Sequence, residues 1–132
     1  MKLILIPIIA FAAFPYIEKP PVEQTDRQKV LSVASTQVGI VEKTGKNDGE
    51  VEKYIGSVGL DPKAGYPYCA AFNYWVGDEA LGKSPYPRSA WSPDQVKGGV
   101  RVTASTHIRG GEAFGIYFKS KGRIAHTGLV ES

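Results

Sequence analysis

The chain is poor in residues that staple a fold or hold a metal. Its 132 residues include one cysteine, Cys69, so no internal disulfide can form. That cysteine and the two histidines, His107 and His126, show none of the ligand spacings of a zinc site. No Gly-x-Ser-x-Gly elbow is present, which argues against a serine hydrolase of that kind. No glycine-rich phosphate loop stands between a strand and a helix, so nucleotide chemistry has no support and no cofactor is expected. Lysines and arginines are scattered, and the net charge is only +3. A mild basic excess without clustering suits a polyanionic surface in general and lacks the footprint of a nucleic-acid binder. There is no internal repeat and no low-complexity tract.

What is there describes an ordinary globular protein. Apolar residues make up 42% and charged residues 22%, and the length suits one domain with a modest core. Fifteen glycines and nine prolines imply many turns. Residues 1–17 stand apart: Lys2 is a short basic region, Leu3 to Phe14 is apolar, and Ala10-Phe11-Ala12 offers small residues two apart. This pattern reads as a cleaved export signal, with a short uncleaved anchor as the alternative. A membrane span needs about 20 apolar residues, more than this run supplies. Residues 18–24, with Pro20 and Pro21, read as a stiff polar linker, and residues 25–132 as the domain.

Thr25 or Asp26 is positioned to cap a helix running to about Gln37, with Val30, Val33, Ala34 and Val38 as its apolar stripe. A polar loop over Ile40 to Gly49 follows, and Asn47 or Asp48 caps a second helix carrying Val51, Tyr54, Ile55 and Val58. Gly65 and Pro67 mark a turn before a third helix. There Cys69, Phe72, Val76 and Ala80 form the stripe, Asn73 and Asp78 lie off it, and the end falls near Gly82. Ser92-Pro93-Asp94-Gln95 fits a short helix with Ser92 as cap. Val100 to Thr103 is a weak strand candidate. Glu112 to Lys119 and Arg123 to Glu131 are better ones, joined at Lys121-Gly122 as a hairpin. Helices first and antiparallel strands last predict an α+β fold.

Cys69 falls in the first turn of a helix, where unpaired N–H groups and the helix dipole favour an anion such as a thiolate. It is either a nucleophile or a small apolar core residue. An exported chain that keeps one thiol favours the nucleophile. A cysteine nucleophile needs a base. His126 lies mid-strand, and period-two alternation places it on one face with Ile124, Gly128 and Val130. Gly128 beside it would leave room for another group. His107 lies in a polar loop and reads as a surface residue. A cysteine at a helix start with a histidine on a distant strand is the arrangement of papain-like hydrolases.

Several pieces together, in this order and spacing, resemble CHAP domains: Glu42-Lys43-Thr44-Gly45-Lys46-Asn47-Asp48-Gly49, then Val51 and Tyr54, then Gly65-Tyr66-Pro67-Tyr68-Cys69-Ala70-Ala71-Phe72, then Ala125-His126-Thr127-Gly128-Leu129-Val130. These are cysteine, histidine-dependent amidohydrolases and peptidases of the NlpC/P60 and papain-like group. The resemblance runs from about Asp26 to the end. It implies a papain-like α+β fold, with N-terminal helices on a small antiparallel sheet. It further implies a secreted enzyme, exported to the periplasm, cell envelope or exterior, that cuts amide bonds of peptidoglycan peptides as an amidase or endopeptidase. Cys69 then matches the nucleophile and His126 the general base and acid. Glu42, Asn47 and Asp48 match a supporting polar segment, and Tyr66 and Tyr68 are candidates for the wall of the substrate groove. Loop solvation and helix capping explain the polar segment equally well. The partners implied are wall peptides and no nucleic acid, with a membrane only if the N-terminal segment stays attached.

Two features depart from the family. Gly111-Glu112 stands where Gly-Asp is usual. The family also carries a third polar residue on a strand after the histidine strand, and here Glu131 is the only carboxylate downstream of His126. Five positions on, a regular strand would point it to the opposite face unless a bulge intervenes. The sheet is therefore expected to be incomplete at the C-terminus. The alternative function is a non-catalytic or truncated CHAP-like protein that only binds wall peptides.

Overall fold

A computed structural model describes residues 24–99, 101 and 108–132. The expected export signal, the expected linker up to residue 23, His107 and all of the weak strand candidate except Arg101 lie outside the described residues.

Helix α1 spans Asp26–Ser35. Thr25 and Gln28 close a reciprocal cap: the Gln28 N–H donates to Thr25 Oγ1, and the Thr25 N–H donates to Gln28 Oε1 at 2.8 Å. The helix stops before Gln37, so Val38 falls off the stripe and is 85% exposed. A short 3-10 turn, Gly49–Val51, then leads into α2, Glu52–Ser57. Its apolar residues Val51, Tyr54 and Ile55 are buried with Ala71, and Tyr68, Phe72 and Trp75 close around them. The Phe72 and Trp75 rings stand edge-on to Tyr54, with centroids 5.1 and 5.2 Å away. Burying each such side chain contributes about 1.5–3 kcal/mol. This is the main core.

Helix α3, Cys69–Leu81, ends at Gly82, whose φ of 73° is the left-handed stop that its sequence implies. Within it, Gly77 has a packing role. A Cβ there would meet Ser84, Pro85 and Tyr86, so the loop after α3 folds directly onto the helix. Tyr86 reaches on to donate its hydroxyl to the Gly111 carbonyl at 2.6 Å. Ser92–Val96 is a 3-10 helix with Trp91, not Ser92, at its cap.

Strands β1, Ala113–Phe118, and β2, Arg123–Leu129, form the antiparallel hairpin. Their connection is a 3-10 turn, Lys119–Lys121, closed by Gly122 at φ 62°. The fold is α+β, with three helices and a two-stranded sheet among the described residues. Among those residues no helix is long and apolar enough to cross a membrane.

One irregularity sets the faces of the hairpin. Ile116 pairs with His126 but Tyr117 pairs with Ile124, which leaves Ala125 as the extra residue of a β-bulge. Paired residues share a face. Gly115 and Thr127, and Tyr117 and Ile124, therefore share the face that meets α3, although Tyr117 remains 60% exposed. Phe114 and Gly128, Ile116 and His126, and Phe118 and Arg123 face outward. The expected grouping of His126 with Ile124 is corrected by this bulge, because the extra residue shifts the alternation by one. The inner face meets α3 through Thr127, whose Oγ1 accepts from Asn73 Nδ2 at 3.2 Å and donates to the Phe114 carbonyl at 2.6 Å. The base of the hairpin is tied to α1. Arg27 donates to the Gly110 carbonyl at 3.0 Å and pairs with Glu112 at 3.5 Å.

Candidate functional site

Cys69 is the first residue of α3 and is half-buried. Its Sγ lies 3.2 Å from the Ser92 Oγ, a hydrogen bond in which either atom is able to donate. Ser92 is 5% exposed. The sequence gives Ser92 a capping role. Trp91 takes that position instead, and Ser92, one step inside the 3-10 turn, directs its hydroxyl at the thiol. The site thus gains a residue that its Ser-Pro signature disguises.

The loop before α2 is tied to the turn that precedes Cys69. Asn47 adopts a left-handed φ of 56°, a conformation that Asn tolerates better than most residues. Its N–H donates to Glu42 Oε2 at 2.9 Å, and its Nδ2 donates to the Gly65 carbonyl at 2.9 Å. Glu42 and Asn47 therefore fasten this loop to the turn that delivers Cys69. Burial, followed by the nearby Glu42 carboxylate, pushes the Tyr68 phenol up. Asp48 does not cap α2 with its side chain. It accepts from the Thr44 N–H at 2.9 Å and from the Thr44 hydroxyl at 2.8 Å, and these bonds hold its carboxyl below the ordinary range. Of the two tyrosines, Tyr66 is exposed, whereas Tyr68 is half-buried against Tyr54, with ring centroids 5.8 Å apart.

His126 is exposed on the outer face of β2. No side-chain hydrogen bond joins it to Cys69 or to any other described residue. The bulge precedes His126, so it does not turn Glu131 toward the imidazole. Nor is the space at Gly128 open, because a Cβ there would stand 3.0 Å from the Phe114 ring. What links β2 to the cysteine helix is its neighbour Thr127 and, four residues after Cys69, Asn73. Asn73 was expected off the buried stripe and is fully buried. Its Oδ1 has no hydrogen-bond partner among the described residues.

A second contact brackets the site. The Arg123 guanidinium lies over the Trp91 ring, 4.1 Å from its centroid. This joins the start of β2 to the residue just before Ser92. Neither Trp91 nor Arg123 is marked by any local motif. The broad groove bounded by Arg27, Tyr86, Gln95, Val96, Glu112 and Gly115 lies elsewhere, and neither Cys69 nor His126 lines it. Among the described residues no cluster of His, Cys, Asp and Glu is arranged to hold a metal. No family model, curated protein or solved structure matches the chain.

Proposed function

We propose that this chain is an exported peptidoglycan hydrolase of papain-like, CHAP type, cutting amide bonds of wall peptides as an amidase or endopeptidase. The observation that carries the proposal is the seating of Cys69. Its thiol opens a 13-residue helix, sits half-buried against Ser92, and belongs to the helix that meets the His126 strand at Asn73–Thr127. His126 takes the thiol proton, and the Cys69 sulfur attacks the substrate carbonyl carbon. The resulting oxyanion is held by backbone N–H groups, that of Cys69 first among them. His126 then gives its proton to the leaving amine, and water hydrolyses the remaining thioester to release the acid and restore the thiol. In this structure His126 lies on the face of β2 opposite the one that meets α3, so the reaction requires the hairpin to turn the imidazole toward Cys69. Glu42 and Asn47 support the loop before Cys69, and Tyr66 is exposed on that loop.

The Cys69–Ser92 contact also favours a second function, a wall-peptide binder whose thiol is occupied by Ser92 and whose histidine has no orienting partner among the described residues. Digestion of purified peptidoglycan separates the two. A hydrolase releases new amino or carboxyl termini, and Cys69→Ala abolishes the release while leaving the fold intact. Release that persists in Cys69→Ala would sink the cysteine mechanism. Binding without release would establish the second function.

A further inference from the structure

Among the described residues Arg123, like most of the lysines and arginines, has no carboxylate partner, whereas Arg27, Lys29, Lys63 and Arg109 do. Yet the Arg123 guanidinium is well held. It stacks on Trp91 at 4.1 Å, and its Nη1 donates to the Ile124 carbonyl at 3.0 Å. One N–H is thus used, and no other described residue is hydrogen-bonded to the rest of the fork. A planar guanidinium fixed in this way has lost much of its rotamer freedom before any ligand arrives, and it matches a carboxylate with two parallel hydrogen bonds.

Its place in the fold gives the cation a role. Arg123 and His126 are three residues apart, an odd spacing that would put them on opposite faces of a regular strand. The bulge at Ala125 brings both to the outer face, opposite Phe118 and Ile116. Trp91, the stacking partner, precedes Ser92, and Ser92 touches Cys69 at 3.2 Å. The route from thiol to guanidinium is one hydrogen bond, one peptide step of about 3.8 Å and one stacked ring. Trp91 is half-exposed, so its free surface borders the same route.

We propose that Arg123, stacked on Trp91, is the subsite that recognises a free carboxylate on the peptide substrate. The inference rests on the wall-peptide proposal above and deepens it: the substrate class is an acidic peptide whose carboxylate sits on Arg123 while another bond lies at Cys69. No second charge is needed in the site, because the guanidinium fork supplies the counter-charge.

The test is calorimetric titration of the full chain carrying Cys69→Ala, which binds without turnover. The probes are the pentapeptide L-Ala-γ-D-Glu-L-Lys-D-Ala-D-Ala and the same peptide with both free carboxylates converted to carboxamides. The acid is expected to bind roughly tenfold or more tightly than the amide, the scale of a charge-assisted hydrogen-bonded pair. Adding Arg123→Gln should bring the acid down to the level of the amide and leave the amide unchanged. Arg123→Lys, which keeps charge and stem, should retain part of the preference. Equal binding of acid and amide by the unaltered Arg123 chain overturns the proposal without relying on any Arg123 variant. So does an acid preference that survives Arg123→Gln in a chain folded by circular dichroism, and so does failure of both peptides to bind at millimolar concentration. Failure of the two proposals is distinguishable. Peptidoglycan digestion with no acid preference removes the Arg123 subsite and keeps the hydrolase. An Arg123-dependent acid preference without digestion removes the hydrolase and keeps the subsite.

Discussion

Tyr54 is 2% exposed, with Tyr68, Phe72 and Trp75 around it; on the hairpin, Phe114, Ile116 and Phe118 are each more than a third exposed. The α2–α3 unit has an aromatic core of its own. The β1–β2 hairpin has no such core: Val96 packs against it at Gly115, and polar and stacking contacts join it elsewhere, Thr127 with Asn73, Glu112 with Arg27, Tyr86 with Gly111, and Arg123 with Trp91. The proposed reacting pair is divided between these regions, with Cys69 on the well-packed one and His126 on the lightly anchored one. Local opening follows the density of buried apolar contacts. The nucleophile is thus held by packing, whereas the placement of the base depends on individual hydrogen bonds.

The widest contrast is in stability. Tyr54→Ala should cost about 3–5 kcal/mol, the usual loss for a buried aromatic residue, measured by urea unfolding. A loss below about 1 kcal/mol would place the core elsewhere. The hairpin junction should respond differently. Thr127→Val alone should cost about 1–3 kcal/mol, because it strands the buried Asn73 amide. Asn73→Val with Thr127→Val should recover most of that loss, since the unpartnered Asn73 Oδ1 goes too. A double-variant loss equal to the sum of the two single losses would mean that this pair does not join the two regions.

The two regions should also differ in pH response. Burial pushes the Tyr54 phenol up to about 12, from an ordinary value near 10. The fold therefore favours the neutral phenol. That contribution is present below pH 10 and is lost as pH rises toward 12. Tyr54→Phe should remove this alkaline limb. In the hairpin, the Arg109 N–H holds the Glu112 carboxyl below its ordinary range, helped by the Arg109 and Arg27 guanidiniums. Its contribution is present above the ordinary carboxylate range and is lost as pH falls through the depressed value, so Glu112→Gln should flatten the acid limb. At the small end, Ile116→Ser on the exposed face should shift unfolding by about 0.5 kcal/mol or less. A larger effect would show that something covers this face.

Local punctuation made the helices legible. Thr25 and Gly82 bound α1 and α3 at their proper ends, and the Val51–Tyr54–Ile55 spacing marked the core face of α2. Cys69 at a helix start was legible for the same reason. What the sequence hid depends on the partner strand or on a neighbouring turn. Ala125 is an unremarkable strand residue, and only its missing partner on β1 makes a bulge that moves Ile124 off the His126 face. Asn73 looks like a solvent residue until Thr127 meets it. Ser92 carries every mark of a cap, but the turn starts one residue earlier and sends its hydroxyl to the thiol. The aromatic stack of Trp91 and Arg123 joins residues 32 apart, beyond the reach of any local pattern.

The central claim is that His126 acts on Cys69 across the junction of these two regions. It is tested most directly by the rate of Cys69 alkylation by iodoacetamide at neutral pH, in the unaltered chain and in His126→Ala. The expected result is a thiol at least roughly tenfold more reactive when His126 is present, in line with general-base assistance. Equal rates in the two proteins, both folded, would contradict it and leave Cys69 as the partner of Ser92 alone.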